Sequence, residues 1–455
     1  MDGAEAANGR VIAAYVAGAR ERALPAEVRD AARLCLADWL GVAIGAAGEE
    51  AGRIVREVAL GWRSSGRSSL LMGGTAAAPV AALVNGTLAH CLDFDDTYVK
   101  GVTHTSAPVW AATLALGEEI GASEPDILAG FVTGFETTCR IGNGLGEPVT
   151  ARGWHGTGVF GRLGAAAATA ALLGLDATRA LHALATAVTQ TSGLTASFGT
   201  MAKPFHAGKA AMDGIVAGQL AAAGLIAATG ILDTGGGLDN ALVQDRSATI
   251  QPADFADWEI LQNSFKPYAA CHLTHPAIDA ARGFQLKTAE LARLREVEAE
   301  VGALAAQVTG GRTRDPATPL EGKFDLKYCV ALGLHGHTVS AGDFREPWQP
   351  PPEVRATARK VRVSPSPDLG FASARLRAIF DDGRTMRAEV PVAKGHPGNP
   401  MTWSDMRDKF AALVEPRLGA AVAERLLGLV REFGSGGMLG EIRALLGRLH
   451  AGEAR

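Results

Sequence analysis

The sequence of 455 residues lacks the cysteine patterns on which small secreted domains and structural zinc sites depend. Its cysteines are odd in number and widely scattered, and no two form a CxxC pair; they are Cys35, Cys91, Cys139, Cys271 and Cys329. A disulfide framework needs paired cysteines, and zinc ribbons need closely spaced ones. We therefore expect neither, and we predict a reducing, cytoplasmic environment.

The first eight residues also lack the charged and then apolar succession of an export signal, which agrees with a cytoplasmic protein. A stretch of nineteen residues without a charge lies between Asp213 and Asp233, but it consists mostly of alanine and glycine. That composition is only modestly apolar and is typical of helices that pack closely in soluble bundles. We predict a buried helix here and no membrane partner.

Features of nucleic-acid and nucleotide binding are missing as well. The formal net charge is -4, and no cluster of lysine and arginine is interleaved with aromatic residues. The 56 glycines are dispersed, and neither GxGxxG nor GxxxxGK[ST] occurs. We therefore expect a small-molecule partner, no nucleic acid and no nucleotide cofactor.

Two common hydrolase motifs are also absent. The zinc-binding motif HExxH does not occur, and neither does the nucleophile motif GxSxG. Cys271 lies beside two histidines, but nothing in the sequence shows the electropositive environment that would activate a thiol. Nucleophilic hydrolysis is therefore disfavoured.

Most of the chain shows apolar residues at helical spacing, and hydrophobic residues make up 47% of it. No strands alternate with these helices over the first part of the chain, which argues against a doubly wound sheet. Strand-like alternation appears later, where Asp381-Asp382-Gly383 is a hairpin-turn signal between two such segments. From Thr402 onward the pattern is helical again. We predict a mainly α fold with an α+β region.

Polar islands interrupt this apolar sequence, and strongly charged groups among apolar ones are candidates for function. The densest island runs from His90 to Ser106 and contains three carboxylates, two histidines and a lysine. If the preceding helix continues through Thr97, then His90, Asp93 and Thr97 share one face. The other islands contain His155; Lys203, His206 and Lys209; Lys266, Tyr268, Cys271, His272 and His275; and Lys323 and Lys327.

Each island also has a plain structural interpretation. His155 alone is as well explained by a hydrogen-bonded core histidine as by catalysis. A solvated helix end explains Lys203 or Lys209 taken singly. Capping, solvation or core packing would equally explain Asp95, Asp96, His206, Cys139 and Cys329.

Two kinds of chemistry would use these groups. A metal site is one hypothesis, because histidine and aspartate are ligands of Zn, Mn and Fe, but the spacing shows no recognisable ligand geometry. General acid–base chemistry on an anionic substrate uses more of the set. Lysines and histidines bind carboxylates, and a histidine oriented by an aspartate moves a proton near neutral pH. We therefore predict no metal and no cofactor.

Several short motifs resemble those of the MmgE/PrpD family, which includes 2-methylcitrate dehydratase, cis-aconitate decarboxylase and iminodisuccinate epimerase. The likeness spans almost the entire chain. Its carriers are Asn85-Gly86, Ala89-His90, Asp93-Phe94-Asp95-Asp96-Thr97, Thr103-His104, Gly153-Trp154-His155, Gly199 to Pro204, His206-Ala207-Gly208, Lys266-Pro267-Tyr268 with Cys271, His275-Pro276 and Lys323-Phe324.

The resemblance implies a large all-helical domain formed by both chain ends, with an inserted smaller α+β domain. The predicted boundaries are 1–264 for the N-terminal part of the helical domain, 265–400 for the α+β lid domain and 401–455 for the returning C-terminal helices. The resemblance also implies a homodimer and a metal-free active site between the domains.

The same resemblance assigns roles to individual residues. Lys203 and His155 would bind the substrate carboxylates, and His104, oriented by Asp93, would be the leading general acid or base. His275 would be the opposing proton donor. The remaining predicted contacts with the substrate, a small polycarboxylate, are Thr97, Cys271, His272, Lys266 and Tyr268.

Proton transfer at a carbon α to a carboxylate can lead to dehydration, decarboxylation or epimerisation. We favour a lyase, with a 2-methylcitrate-like dehydratase slightly ahead of a cis-aconitate-type decarboxylase, and an iminodisuccinate-type epimerase as a further alternative. Some relatives place a histidine at the position of Cys271, which weighs against the decarboxylase. A catalytically silent binding protein that has kept the pocket is the alternative from a different class.

Overall fold

Helices account for most of the computed structural model, which describes residues 8–233, 237–251, 253–345 and 347–447. The prediction of a mainly α protein is therefore confirmed. Residues 1–7, on which the expectation of no export signal rests, lie outside the described residues, and so do residues 448–455 of the predicted C-terminal part.

Among the described residues before 265, helices predominate, and the strands are one short antiparallel pair, β1 (Ser68–Ser69) and β2 (Thr75–Ala76). The helices are α1 (Asn8–Ala17), α2 (Ala26–Gly45), α3 (Glu50–Gly61), α4 (Ala78–Cys91), α5 (Ser106–Ile120), α6 (Glu124–Gly142), α7 (Gly146–Ala151), α8 (Gly156–Leu172), α9 (Ala177–Val188), α10 (Ala202–Ala222) and α11 (Leu238–Leu242). Ser123 caps α6, since its Oγ atom accepts a hydrogen bond from the backbone N–H of Asp126.

The middle part of the chain combines helices with a four-stranded sheet of order β4-β3-β5-β6. The sheet is antiparallel except that β3 and β4 run parallel. The predicted hairpin is confirmed, because β5 and β6 pair across the turn at Gly383, which has a φ of +83°. The elements are α12 (His275–Gly283), α13 (Thr288–Arg293), β3 (Leu294–Val301), α14 (Ala303–Ala305), α15 (Pro319–Lys323), α16 (Leu326–Leu334), α17 (Pro352–Ala358), β4 (Val361–Pro365), β5 (Ala374–Phe380) and β6 (Thr385–Val390).

The last described part is helical: α18 (Trp403–Leu418), α19 (Ala420–Arg431) and α20 (Met438–Leu446). The chain divides into two compact units. The helical unit contains Met1–Ser264 and Trp403–Arg455, and the α+β unit contains Phe265–Thr402. In the α+β unit, alternate residues of β3 (Val297, Ala299 and Val301) enter a core that α12 and α16 also line.

The core of the helical unit is built around α8, in which every residue is buried. A helix that is apolar on all sides belongs in an interior, and the glycines and alanines of α8 let its neighbours approach closely. α10 contacts both α8 and α4. This packing places the N-terminal end of α10 and the residue before α8 in the same region as the end of α4.

The uncharged segment between Asp213 and Asp233 is a buried helix only in its first half. α10 ends at Ala222, Gly224 takes a φ of +101°, and Leu225 and Ile226 are exposed. The predicted helix therefore stops earlier than expected, because glycine allows the chain to turn. One helical stretch elsewhere, Ala26–Gly48, is long and apolar enough to cross a membrane, but most of it is buried, as in core helices of soluble proteins.

Close packing of α4 against α10 leads to a stability prediction. A Cβ added at Gly208 would lie 2.1 Å from the backbone oxygen of Leu83 and 2.3 Å from Thr87 Oγ1. Gly208→Ala should therefore destabilise the helical unit by about 3 kcal/mol or more, seen as a lower melting temperature and less soluble protein. The control is Gly428→Ala in α19, where an added Cβ meets no atom within 4 Å. An equal melting temperature for Gly208→Ala and the parent would contradict the described packing.

Candidate active site

The densest polar island follows directly after α4. His90 lies in the last turn of this helix, which ends at Cys91, and Asp93 takes a φ of +51°. A left-handed backbone is uncommon for a residue other than glycine and breaks the helix at this point. The expectation that one helical face carries His90, Asp93 and Thr97 is therefore wrong.

Asp95 lies between two histidines. Its Oδ2 atom is 2.7 Å from Nδ1 of His90 and 3.3 Å from Nδ1 of His104. Burial opposes ionisation of this carboxyl, but the interactions with His90 and His104 outweigh burial and hold the pKa of Asp95 well below its usual range. Asp95 is therefore an ionised acceptor that can fix both imidazole rings.

His104 is the most exposed member of this group, with 14% of its side chain accessible. Its backbone N–H donates to Thr157 Oγ1 at 3.0 Å, which ties this segment to the first turn of α8. Its Nε2 atom is 4.0 Å from Asp93 Oδ1. Asp95 is thus closer to the ring than Asp93, to which the sequence analysis assigned the orienting role.

Lys203 pairs with Asp93. The Lys203 ammonium donates to Asp93 Oδ1, and both side chains are about 5% exposed or less. Nζ of Lys203 also lies 5.4 Å from the centre of the Phe198 ring, within the range of a cation–π contact. Lys203, which was predicted to bind substrate, and His104 therefore share Asp93 as a neighbour.

His155 lies directly before α8 and is buried. Its ring stacks on the ring of His90, with centroids 5.6 Å apart, and its Nδ1 atom is 3.0 Å from Nδ1 of His206. Burial, and then the neighbouring positive groups, hold the pKa of His155 well below its usual range. Burial likewise lowers the pKa of His206, and it lowers that of His90 to about 4. These three rings are therefore neutral near pH 7.

Thr97 belongs to the same segment, two residues after Asp95. Its backbone N–H donates to the carbonyl oxygen of Ser264 at 2.8 Å, and the N–H of Ser264 returns a bond of 3.0 Å. The side chain is buried, and among the residues that the structure describes no hydrogen-bond partner lies within reach of Thr97 Oγ1. A buried hydroxyl of this kind suits an oxygen atom of a ligand.

The predicted residues of the α+β unit form a group of their own. The hydroxyl of Tyr268 donates to Asp279 Oδ1 at 2.5 Å, and burial followed by the Asp279 charge raises the pKa of Tyr268. His275 is buried, and its Nε2 atom is 3.1 Å from the carbonyl oxygen of Ala270. Its ring contacts those of Tyr268 and His272, with centroids 5.2 and 4.7 Å away.

Two further residues of this group are also buried. The backbone N–H of Cys271 donates to the carbonyl oxygen of Lys323 at 2.9 Å, and Lys266 is 1% exposed. The predicted roles of Cys271, His272, Lys266, Tyr268 and His275 toward a substrate stay predictions.

Three residues of the group in the helical unit were not predicted as site residues: His90, Asp95 and His206. The pairing of His90 with Asp95 depends on the turn at Asp93, which no helical or extended spacing indicates. His206 follows Lys203 by three residues on α10, and this spacing could have placed both on one face. The interpretation of His206 as an exposed residue is wrong, because it is partly buried against His155.

Metal binding remains a chemical alternative for part of this group. One ligand atom from each of His90, Asp95 and His104 lies within 4.8 Å of the others. The 2.7 Å separation of His90 Nδ1 and Asp95 Oδ2 is a hydrogen-bond distance. Two atoms that each lie about 2.1 Å from a tetrahedral zinc would be farther apart. The observed geometry therefore fits proton sharing better than coordination.

Comparison with known proteins agrees with the resemblance found in the sequence. The family model of the MmgE/PrpD N-terminal domain matches residues 10–251, and that of the MmgE/PrpD C-terminal domain matches residues 268–433. Together these matches cover most of the chain.

Curated relatives include cis-aconitate decarboxylases from three organisms. The protein from Mus musculus is 28% identical over 366 residues, which cover 77% of this chain and 75% of the relative. The protein from Homo sapiens is 28% identical over 365 residues, with 77% and 76% covered. The protein from Aspergillus terreus is 26% identical over 403 residues, with 82% of each chain covered.

Proposed function

The chain belongs to the MmgE/PrpD family, and from that premise we propose that it is a lyase that acts on a small di- or tricarboxylic acid without a cofactor. The observation that carries the proposal is the group around His104. The Nδ1 atom of His104 lies 3.3 Å from the ionised Asp95, and its Nε2 atom lies 4.0 Å from Asp93, the carboxylate that Lys203 binds. This arrangement can bind an anion and move a proton in the same place.

His104 is the proton-transfer group in this proposal. A proton on Nδ1, directed at Asp95, would leave the lone pair of the ring on Nε2. Nε2 can then take a proton from the carbon α to a substrate carboxylate, or return one to it. Lys203 offsets the negative charge that develops on that carboxylate in the transition state.

We place decarboxylation of a cis-aconitate-like acid first. The names of the curated relatives support it, whereas nothing comparable supports the dehydratase that the sequence analysis preferred. One carboxylate leaves as carbon dioxide, and its bonding electron pair forms a new double bond. The electrons of the original double bond move to the carbon α to a retained carboxylate. That carbon takes a proton from Nε2 of a His104 ring that begins this reaction protonated on both nitrogens, and solvent then reprotonates the ring.

A 2-methylcitrate-like dehydratase is the second candidate, because the sequence has Cys271 at a position where the family resemblance implies a histidine in some members. In that reaction His104 would remove the α-proton and the hydroxyl would leave from the neighbouring carbon. The epimerase, the homodimer and the cytoplasmic location stay predictions.

The test is incubation of the protein with unsaturated, hydroxy and imino polycarboxylates in deuterated water, followed by NMR. Decarboxylation should give a product with one carboxylate fewer and one deuterium on the carbon α to a carboxylate. Water loss without carbon dioxide would establish the dehydratase instead, and deuterium exchange without net conversion would establish the epimerase. Absence of all three with every acid would remove the proposal and favour the silent binding protein.

Replacement of Asp95 tests how His104 is oriented. Asp95→Asn removes the negative charge beside the Nδ1 atoms of His90 and His104 and introduces an amide donor, which weakens the preference of the His104 ring for a proton on Nδ1. We expect kcat to fall by about 10²-fold with a smaller change in KM. The control is Asp408→Asn, which removes an exposed carboxylate of α18. Unchanged kcat in a folded Asp95→Asn protein would show that Asp95 does not orient the proton-transfer group.

A further inference from the structure

The segment after α4 has a second side that faces away from the histidines. Asp93 and Asp95 interact with Lys203, His90 and His104, whereas the intervening Phe94 and the next residue, Asp96, make their contacts elsewhere. Residues that hold Phe94 and Asp96 in place therefore also fix the positions of the Asp93 and Asp95 carboxylates.

Lys409 of α18 holds this segment from behind. Its Nζ atom donates to the carbonyl oxygen of Phe94 at 2.7 Å and to Asp38 Oδ1 at 2.5 Å, and it lies 3.9 Å from the centre of the Phe94 ring. The other oxygen of Asp38 accepts the backbone N–H of Asp96 at 3.0 Å. One buried ion pair thus binds main-chain groups on both sides of Asp95.

The side chain of Asp96 extends the same support. It accepts hydrogen bonds from the hydroxyl of Ser106, in the first turn of α5, and from Asn263 Nδ2 at 2.5 Å. The segment is therefore attached to Asn263 and to the start of α5, which begins two residues after His104.

Electrostatics make Lys409 important to this arrangement. Burial raises the pKa of Asp38, and the charge of Lys409 is the main influence that opposes this rise. Burial, and then the charge of Asp38, raise the pKa of Asp96 to about 7. Buried carboxylates that lie this close stay ionised only where a cation compensates them. Without an ammonium at position 409, Asp38 would favour its neutral form and would be a weaker acceptor for Asp96.

We propose that Lys409 is a positioning residue for the proton transfer, acting through Asp38 and the Phe94 carbonyl to fix Asp93 and Asp95. This inference rests on the proposed function for its kinetic consequence. Its structural consequence, the placement of the imidazoles of His90 and His104, is independent of the proposed function. Lys409 itself does not touch the substrate in this scheme.

The kinetic test compares the parent with Lys409→Met, which keeps the length of the side chain and removes the ammonium. We expect kcat to fall by about 10- to 100-fold with a change in KM of less than about 3-fold, because a displacement of about 1 Å in the catalytic groups slows the chemical step. Lys409→Arg should recover part of the lost kcat, since it restores a cationic donor. The matched control is Arg407→Met, an exposed cation of the same helix, which should behave as the parent.

A second variant allows the test to be made if Lys409→Met does not fold. Asp38→Asn combined with Lys409→Met leaves no unpaired buried carboxylate at this position and keeps an acceptor for the N–H of Asp96. The bond to the Phe94 carbonyl is still lost, so kcat should stay low in this double variant. Parent-like kcat in either folded variant would overturn the proposal.

A measurement without substrate separates this inference from the proposed function. In protein labelled with ¹⁵N-histidine, the ring signals of His90 and His104 report which nitrogen carries the proton and can be assigned with His90→Gln and His104→Gln. They should shift in Lys409→Met and stay in place in Arg407→Met. Shifted signals in a protein that turns over no acid would support the positioning role and remove the proposed function. Unshifted signals with Lys409→Met would overturn the positioning role.

Discussion

Lys203→Met should lower kcat/KM for the polycarboxylate substrate by about 10³-fold or more, with the loss divided between KM and kcat. Lys203 brings a formal positive charge into a buried group whose His90, His155 and His206 are neutral near pH 7. Methionine preserves much of the side-chain volume but neither binds the carboxylate nor stabilises the charge that develops on it. The measurement is steady-state kinetics on the acid that the NMR panel identifies.

Lys209→Met is the matched control for this experiment. Lys209 lies on the same helix, six residues further along, with 40% of its side chain exposed, and pairs with Asp213. It should retain kcat/KM within about 3-fold, because the Lys209 side chain is exposed and Asp213 keeps its ion pair with Arg162. Because Lys203→Met leaves the buried Asp93 without its ammonium, circular dichroism must first show that the variant is folded. Equal kinetics for the two lysine variants would remove Lys203 from the site.

His104→Gln should reduce kcat by about 10³-fold while KM changes little. Glutamine keeps a donor and an acceptor of similar reach, so binding through hydrogen bonds survives, but an amide does not exchange a proton near neutral pH. The incorporation of deuterium into product or recovered substrate should fall in parallel with kcat. A parallel loss of kcat and of deuterium incorporation would show that His104 transfers the proton and does not only bind substrate.

The control for this variant is His182→Gln on α9, where Nδ1 accepts the backbone N–H of Ala227 away from the candidate site. It should keep the parent kcat. If His104→Gln retained parent deuterium incorporation, another residue would have to carry the proton, and His155 would be the next to test. Its lowered pKa makes it a neutral acceptor near pH 7.

The helical character of the chain could be predicted because it depends on local spacing. Pro25 directly precedes α2 and Ser123 caps α6, and both residue types are local signals of a helix start. The β5–β6 hairpin was equally accessible, since Gly383 supplies the turn conformation within the segment itself. These features need no knowledge of residues far away in the chain.

The internal geometry of the site could not be predicted in the same way. Asp93 leaves the helix although it is not a glycine, and its carboxylate is bonded to Lys203, more than a hundred residues later. The sequence indicated the residue types but not that Asp95, rather than Asp93, lies nearest the His104 ring. Such pairings depend on tertiary packing, which overrides local preference.

The reaction type shows a further limit. Residue types and spacing indicated acid–base chemistry on a carboxylate, but dehydration and decarboxylation need the same kinds of side chain. The preference for a dehydratase had no geometric basis, and the curated relatives support a decarboxylase instead. Product analysis is therefore the measurement that separates them.

The pairing of Asp38 with Lys409 also bears on how the protein is made. The two residues are 371 positions apart, so a ribosome must synthesise the whole α+β unit between them before the ion pair can form. Domains generally fold as units during synthesis, and all of Phe265–Thr402 has been synthesised before Lys409 emerges. Until α18 arrives, Asp38 has no ammonium from Lys409, and burying it in that state is unfavourable. Closure of the helical unit around Asp95 is therefore expected late in synthesis, after the inserted unit has formed.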